Sequence, residues 1–380
     1  MSQLQFNKPR LRRYFHVRLE PVEAAAEESL VFTSGRRRIR VTGRGLGEFF
    51  QHVAPLLDGK RTLDEIEQAV ALLFSRADLE SALLLLAGHQ LLEDGAADTA
   101  VEDQRTGLAP QLNFFHELGG GFTFQQRLAA AAVTVIGATG AAAQAALSLA
   151  IAGVGTLRLS DPQPITPADV YLSTVFDLQD TGLLRADVLR GKIARVAPEV
   201  TCVAQTGQLQ TEEDVAQAVR GSHFVVCSVD AGLSSLLYQL NRVCHANSIP
   251  WTSAAVSGFE GILGPTILPG QTPCYLCYRM RAVACAESPE DEFAFQRFLD
   301  QRKQDDSGQR ENLVFACGAM GHLLGLEVMK CLTGAAEPAV SGNILAVDFL
   351  TMTTTRHTVL QKPWCPVCFQ QESTSRLPDN

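Results

Sequence analysis

The chain predicts an α/β fold: a Rossmann-like, doubly wound sheet with a structural metal clip, preceded by a small winged helix-turn-helix (α+β) domain. Three observations carry this. Strand-like and helix-like segments alternate over 122–268, the pattern of a parallel sheet with crossover helices. Two identical Cys pairs, Cys274-Tyr-Leu-Cys277 and Cys365-Pro-Val-Cys368, stand 87 residues apart (278–364). Residues 14–95 read as strand, hairpin and three helices.

In chain order, Tyr14–Leu19 is strand-like, and Leu30–Thr33 and Arg36–Val41 flank Ser34-Gly35, a two-residue hairpin signal. Leu46, Phe49, Phe50, Val53, Leu56 and Leu57 recur at helical spacing before Asp58-Gly59. Thr62-Leu-Asp-Glu65 is a capping box that opens a second helix. Asp78 starts a third, with Leu79, Leu83, Leu84 and Leu86. Residues 1–95 are thus expected to form one domain, and 96–121, ending in Gly119-Gly-Gly121, a linker. The expected strands of the body, 122–380, are Val133–Ile136, Thr156–Ser160, Thr201–Ala204 and Phe224–Cys227. A charged, irregular insertion (279–312), a helix over Asn312–Gly334 and paired strands at Leu345–Phe349 and Thr353–Val359 follow.

A C-x-x-C turn presents two sulfurs to one metal, and two such turns complete a tetrahedral zinc shell. Cys274, Cys277, Cys365 and Cys368 are therefore the expected ligands of a structural zinc that clips the chain's end onto its middle. The other six cysteines, Cys285 among them, lie mostly in apolar runs and read as buried thiols, which fits a reducing cytoplasm.

Composition bounds the partners. Of 380 residues, 46 % are hydrophobic, enough for a large core, and net charge is −9. The charge is uneven: +6 over residues 1–45 and −15 over the rest. An acidic body argues against nucleic acid, while the basic N-terminal face suits an acidic peptide. Leu128–Leu157 holds no charged residue. Its glycines and polar residues read as strand, turn and buried helix, not a membrane span.

Val133-Thr-Val-Ile-Gly-Ala-Thr-Gly-Ala-Ala142 follows G-x-G-x-x-G loosely, with Gly137 and Gly140 retained. Such a turn brings backbone N–H groups at a helix N-terminus towards phosphates. Asp161 ends the next strand, where a ribose-binding acid would sit. Asp230 ends a later one; it either holds Mg²⁺ on a triphosphate or caps the following helix.

Together these segments resemble the ThiF/MoeB-like superfamily, the ubiquitin-activating-enzyme-like adenylyltransferases. The resemblance covers 122–370. It rests on Gln125-Gln-Arg-Leu128 before Val135-Ile-Gly137, Ala152-Gly-Val-Gly155 before the strand to Asp161, Gly264-Pro-Thr-Ile-Leu-Pro-Gly-Gln-Thr-Pro-Cys-Tyr-Leu-Cys277, Glu327-Val-Met-Lys-Cys-Leu-Thr-Gly334, and the closing Cys pair. It implies a four-cysteine zinc site, usually a homodimer and, in active members, Mg-ATP adenylating a C-terminal carboxylate. Leu57-Asp-Gly-Lys-Arg-Thr-Leu-Asp-Glu-Ile66 and the helix before Leu91-Leu-Glu-Asp94 resemble a recognition element of ribosomal-peptide biosynthesis. Such elements bind a leader peptide as an added strand. The matching edge here is Arg36, Arg37, Arg38, Ile39, Arg40 and Val41, with Leu79 and Leu83 of the third helix as the opposite wall. The arginines would favour an acidic leader, or else form a solvated edge that resists aggregation.

The pattern then departs from active relatives. Their D-x-D…N-L-x-R-Q becomes Asp161-Pro-Gln163 and Asp169-Val-Tyr-Leu172-Ser173, their following Lys becomes Arg185, and the residue after Asp230 is Ala231 rather than Asn. ATP carries roughly four negative charges, and cationic clamps stabilise its transition states. Losing the clamps while adding Asp169 makes the pocket repel it. The expected function is therefore a leader-binding scaffold with a degenerate nucleotide site, delivering a precursor peptide to a YcaO-type cyclodehydratase for azoline formation. The alternative is an active peptide adenylyltransferase of the microcin C type, with Asp230 catalytic. A nicotinamide dehydrogenase leaves the Cys pairs unexplained, and Cys285 as a nucleophile has acidic neighbours that disfavour a thiolate.

Overall fold

The computed structural model describes residues 6–12, 14–21, 28–35, 37–95, 106–228, 234–301 and 312–369. Arg36 and Asp230 lie outside them. The chain divides into two compact units, Met1–Asn113 and Phe114–Asn380.

The first unit holds a three-stranded antiparallel sheet, β2 (His16–Pro21), β3 (Glu28–Ser34) and β4 (Arg37–Gly43), in spatial order β2-β3-β4. Ser34 pairs with Arg37 and Gly35 takes φ 53°, so β3 runs one residue further than the sequence suggested. The helices are Leu46–His52, Leu63–Val70 and Arg76–Gly88. The Thr62/Glu65 capping box is present. The third helix starts earlier than expected because Ser75 and Asp78 form their own capping box, making Asp78 the N3 residue. β1 (Pro9–Leu11) pairs with β5 (Leu92–Asp94) and ties the unit's two ends together. Leu30, Phe32 and Val41 from the sheet pack with Phe49, Ile66, Leu79, Leu83 and Leu86, each fully buried large side chain contributing about 1.5–3 kcal/mol.

The second unit is built on an eight-stranded sheet of order β13-β12-β11-β10-β9-β6-β7-β8. β6 (Ala132–Ile136), β7 (Thr156–Ser160), β8 (Thr201–Gln205), β9 (Phe224–Cys227) and β10 (Trp251–Ser257) are parallel. β11 (Glu260–Leu263), β12 (Asn343–Asp348) and β13 (Thr353–Thr358) extend it antiparallel. The sheet is therefore mixed, not purely doubly wound. β10 and β11 were unforeseen, since Thr252 and Ser253 interrupt the apolar run of one and Gly261 that of the other.

Helices Gly140–Ile151 and Val314–Thr333 pack closely through small residues. A Cβ on Gly321 would lie 2.6 Å from the Ala141 carbonyl oxygen. Val314–Thr333 is the one helix among the described residues long and apolar enough to cross a membrane; Met320, Leu324 and Val328 lie in the core.

Two segments differ from their expected character. The stretch read as a linker contains the helix Ala109–Glu117, whose Phe115 is fully buried edge-on to Phe124 at 5.7 Å. Gly119 and Gly120 form a turn that bonds back to His116 and Phe115 and leads into the helix Gly121–Ala130. The insertion contains the helices Tyr275–Ala284 and Pro289–Gln301. Glu290, Asp291 and Glu292 fall in the first turn of the second helix, a favourable place for negative charge.

Candidate functional site

The cysteine knot forms as its spacing predicts. Cys274 is the N-cap of helix Tyr275–Ala284 and Cys277 lies in its first turn. The β12–β13 hairpin returns the chain so that Cys365 and Cys368 meet them. All four sulfurs are buried and within 4.8 Å of one another. Individual separations are 4.0 Å (Cys274–Cys277), 3.7 Å (Cys274–Cys365) and 3.5 Å (Cys277–Cys368). A tetrahedron with metal–sulfur bonds near 2.3 Å has edges of about 3.8 Å, so the donor set fits such an ion. The Lys362 N–H donates to Cys277 Sγ (3.3 Å) and Gln361 Nε2 to Cys368 Sγ (3.6 Å), bonds that suit thiolates. A metal bound here would supply a cross-link between the chain's middle and its end.

The glycine turn lies at the C-terminal edge of the parallel strands, between β6 and helix Gly140–Ile151. Gly137 (φ 82°) and Gly140 (φ 49°) both take left-handed backbone conformations that favour glycine. Asp161 follows β7 and bends back onto the turn: Oδ2 accepts the Ala138 N–H (2.7 Å) and Oδ1 the Gln163 N–H (2.8 Å). Arg185, at the start of helix Arg185–Val196, donates from Nε and Nη2 to Asp169 Oδ2 (3.1 and 2.7 Å). Its Nη1 lies 3.6 Å from Asp161 Oδ2. Thr139 Oγ1 donates to Asp169 Oδ1 (3.0 Å). Burial opposes the Asp169 charge, but the Arg185 guanidinium and bonds from Thr166 outweigh it and hold the carboxyl below the usual carboxylate range.

Sequence reasoning missed why Asp169 sits there. Thr166-Pro-Ala-Asp169 is a capping box with proline at the first helical position, and it opens the helix Pro167–Leu172. The spacing is legible in the sequence. Thr139 was also passed over as a donor.

Two residues of the segment Gln125-Gln-Arg-Leu128 bond to the backbone of other elements. Gln125 Nε2 donates to the Ala152 carbonyl (3.0 Å), and Arg127 donates to the Thr333 carbonyl beside Gly334. Burial pushes Cys202 up to about 11 and Cys227 and Cys331 up to about 12, so these are neutral thiols. Cys285 is exposed, not buried as expected.

In the first unit, β4 pairs with β3 alone among the described residues. Arg38 and Arg40 are exposed, Ile39 half-buried and Val41 buried. Arg40 pairs with Glu20 at 2.8 Å. Arg37 donates to the His89 carbonyl (3.1 Å) and lies over the Phe15 ring. Leu79 and Leu83 are each 1 % exposed. They belong to the core stripe and cannot line a groove; Leu84 and Leu85 are the exposed leucines of that helix.

The ThiF family model matches residues 108–367. The chain belongs to the ThiF family. It is 27 % identical over 256 residues to the molybdopterin-synthase adenylyltransferase of Salmonella typhimurium, covering 66 % of this chain and 92 % of that one. It is 26 % identical over 245 residues to the sulfur carrier protein ThiS adenylyltransferase of Escherichia coli, covering 64 % and 88 %. Among solved structures it superimposes on the microcin C7 biosynthetic enzyme MccB in complex with N-formylated MccA. The TM-score is 0.71 at 17 % identity, covering 95 % of this chain and 99 % of that one. E. coli MccB with ATP gives a TM-score of 0.70 at 16 % identity over the same shares. That likeness spans both units and shows a shared fold.

Proposed function

We propose that this ThiF-family chain is a leader-peptide-binding scaffold whose nucleotide site is closed by its own ion pairs. The carrying observation is the state of Arg185: both its forked donors reach Asp169, and its third nitrogen faces Asp161. One guanidinium against two carboxylates leaves the cluster at −1. A triphosphate bringing roughly four more negative charges would meet repulsion where a clamp is required. Asp161, the expected ribose acid, already accepts two backbone N–H groups.

The N-terminal unit, as a winged-helix recognition domain, takes the leader as a fourth strand on the outer edge of β4. Support comes from the open edge and from the exposed Arg38 and Arg40 on the strand. Further support is that MccB, which shares the fold over both units, has been solved with the peptide MccA. The chain then presents the precursor's core to a YcaO-type cyclodehydratase by raising its effective concentration. The metal is a structural zinc, the protein works in the cytoplasm, and it acts as a homodimer.

A second reading, an active peptide adenylyltransferase with Asp230 catalytic, draws on one observation: the glycine turn keeps its left-handed conformation at Gly137 and Gly140. Calorimetry with Mg-ATP separates the two. No detectable heat of binding is the expected result. Micromolar binding lost in Asp230→Ala would overturn the scaffold reading and install the adenylyltransferase.

A further inference from the structure

Asn241, on helix Ser234–Ala246, is 1 % exposed and points into the protein beside the first Cys pair. Its Oδ1 accepts the N–H of Tyr275, the residue next to Cys274, at 2.9 Å. Its other half, Nδ2, is buried without a hydrogen-bond partner of ordinary geometry. An unsatisfied buried amide costs about 1–3 kcal/mol, so such a group calls for an explanation. The nearest sulfur along the chain is that of Cys274, whose neighbour Tyr275 the same amide already holds, and its side chain interacts with that of Asn241. A neutral thiol is a weak acceptor; a metal-bound thiolate is a strong one.

We propose that Asn241 is a positioning residue for the metal knot: its Nδ2–H donates to the Cys274 thiolate when the metal is bound, while Oδ1 holds the Tyr275 N–H. The amide is then satisfied at both ends. The knot thereby gains a donor for a third sulfur, beside the Lys362 N–H on Cys277 and Gln361 on Cys368. Thiolates bound to a divalent ion carry excess negative charge, and each such donor lowers it, strengthening retention of the ion. The contact also fastens helix Ser234–Ala246, which follows β9 in the chain, to the metal-bearing turn.

The test uses Asn241→Asp in the full chain. That variant keeps the acceptor for Tyr275 and nearly the same volume, but removes the donor and sets a carboxylate against the thiolate. Zinc transfer to a chromogenic chelator is expected to accelerate by about tenfold or more. In the cobalt-substituted protein, the sulfur-to-cobalt charge-transfer band is expected to move to lower energy, which loosened packing alone would not produce. Release at the wild-type rate with an unmoved band would overturn the assignment. So would faster release with an unmoved band, since Asn241 would then only pack. Should N241D fail to fold, N241L, which also lacks the donor at similar volume, is measured in the same two ways, with the same outcomes deciding.

Discussion

Arg185 and Asp169 meet in a contact shielded from water: Nε and Nη2 of the guanidinium donate to the same carboxylate oxygen at 3.1 and 2.7 Å, with side chains 5 % and 0 % exposed. The same oxygen accepts the Thr166 N–H and hydroxyl, at 2.8 and 2.9 Å. Asp169 thus caps one helix, anchors the first residue of another and holds Thr139 of the glycine turn. An arginine so placed is part of the fold.

Removing the carboxylate takes two short hydrogen bonds from a buried guanidinium. Asp169→Ala should therefore cost about 3–5 kcal/mol, read as a lowered urea midpoint. The pH dependence has a definite sign. The Asp169 carboxyl is held below its unfolded value, so its stabilisation is complete above the unfolded pKa near ~4. It is lost as pH falls through the lower folded value. Wild-type stability should decline below about pH 4 more steeply than that of Asp169→Asn; parallel curves would refute the coupling.

Cys365→Ser removes one corner of the sulfur tetrahedron. Bound metal should fall well below the wild-type content by atomic emission, and thermal stability should fall with it, because metal binding and folding are linked. Chelation of the wild-type protein should lower its stability and leave that of Cys365→Ser nearly unchanged. Metal content at the wild-type level in the variant would dismiss the ligand role.

How far the sequence revealed all this depends on the kind of signal. The two Cys pairs were legible because a two-residue spacer dictates local geometry whatever the intervening fold. β6 and β9 were legible because both faces are buried and the runs are apolar but for Thr134. The short antiparallel strand β11 was not, since Gly261 interrupts it. That glycine is required because a Cβ there would lie 2.6 Å from Met320 sulfur, a contact made only in the folded state. Leu79 and Leu83 show the limit most plainly. Helical spacing identifies a stripe, but whether it faces core or groove depends on where the sheet lies. The Asp169–Arg185 pair joins residues on separate helices, which no local pattern discloses, although the capping box at Thr166 was visible.

The arginines of β4 should separate into two kinds. Arg37→Glu removes the bond to the His89 carbonyl and places a carboxylate near the Phe15 ring, so it should lower the stability of the N-terminal unit by about 1–2 kcal/mol. Arg38→Glu with Arg40→Glu should change stability by no more than about 0.5 kcal/mol, since Arg40 makes only a surface ion pair. That double variant should nevertheless weaken binding of an acidic precursor leader and flatten its salt dependence. Wild-type affinity, measured by fluorescence anisotropy, would leave these residues as a solvated edge.

Gly155 and Gly191 offer a paired test of the body's packing. A Cβ on Gly155 would lie 1.9 Å from the Ala129 carbonyl oxygen, and that obstacle is backbone and cannot swing aside. The Gly155 N–H also donates to the Leu128 carbonyl, and its own carbonyl accepts the Thr201 N–H, so the segment is held on both sides. Gly155→Ala must push apart the helix end at Ala130 and the start of β7, at a cost of about 3 kcal/mol, the upper end for overpacking. Gly191 sits within the helix Arg185–Val196 with nothing within 4 Å of its Cβ position. Gly191→Ala should stabilise by about 0.4–1 kcal/mol, chiefly by restricting the unfolded chain. Denaturant melts of the two variants should thus move in opposite directions. A shift of the same sign in both would mean that the close approach at Gly155 is relieved at little cost.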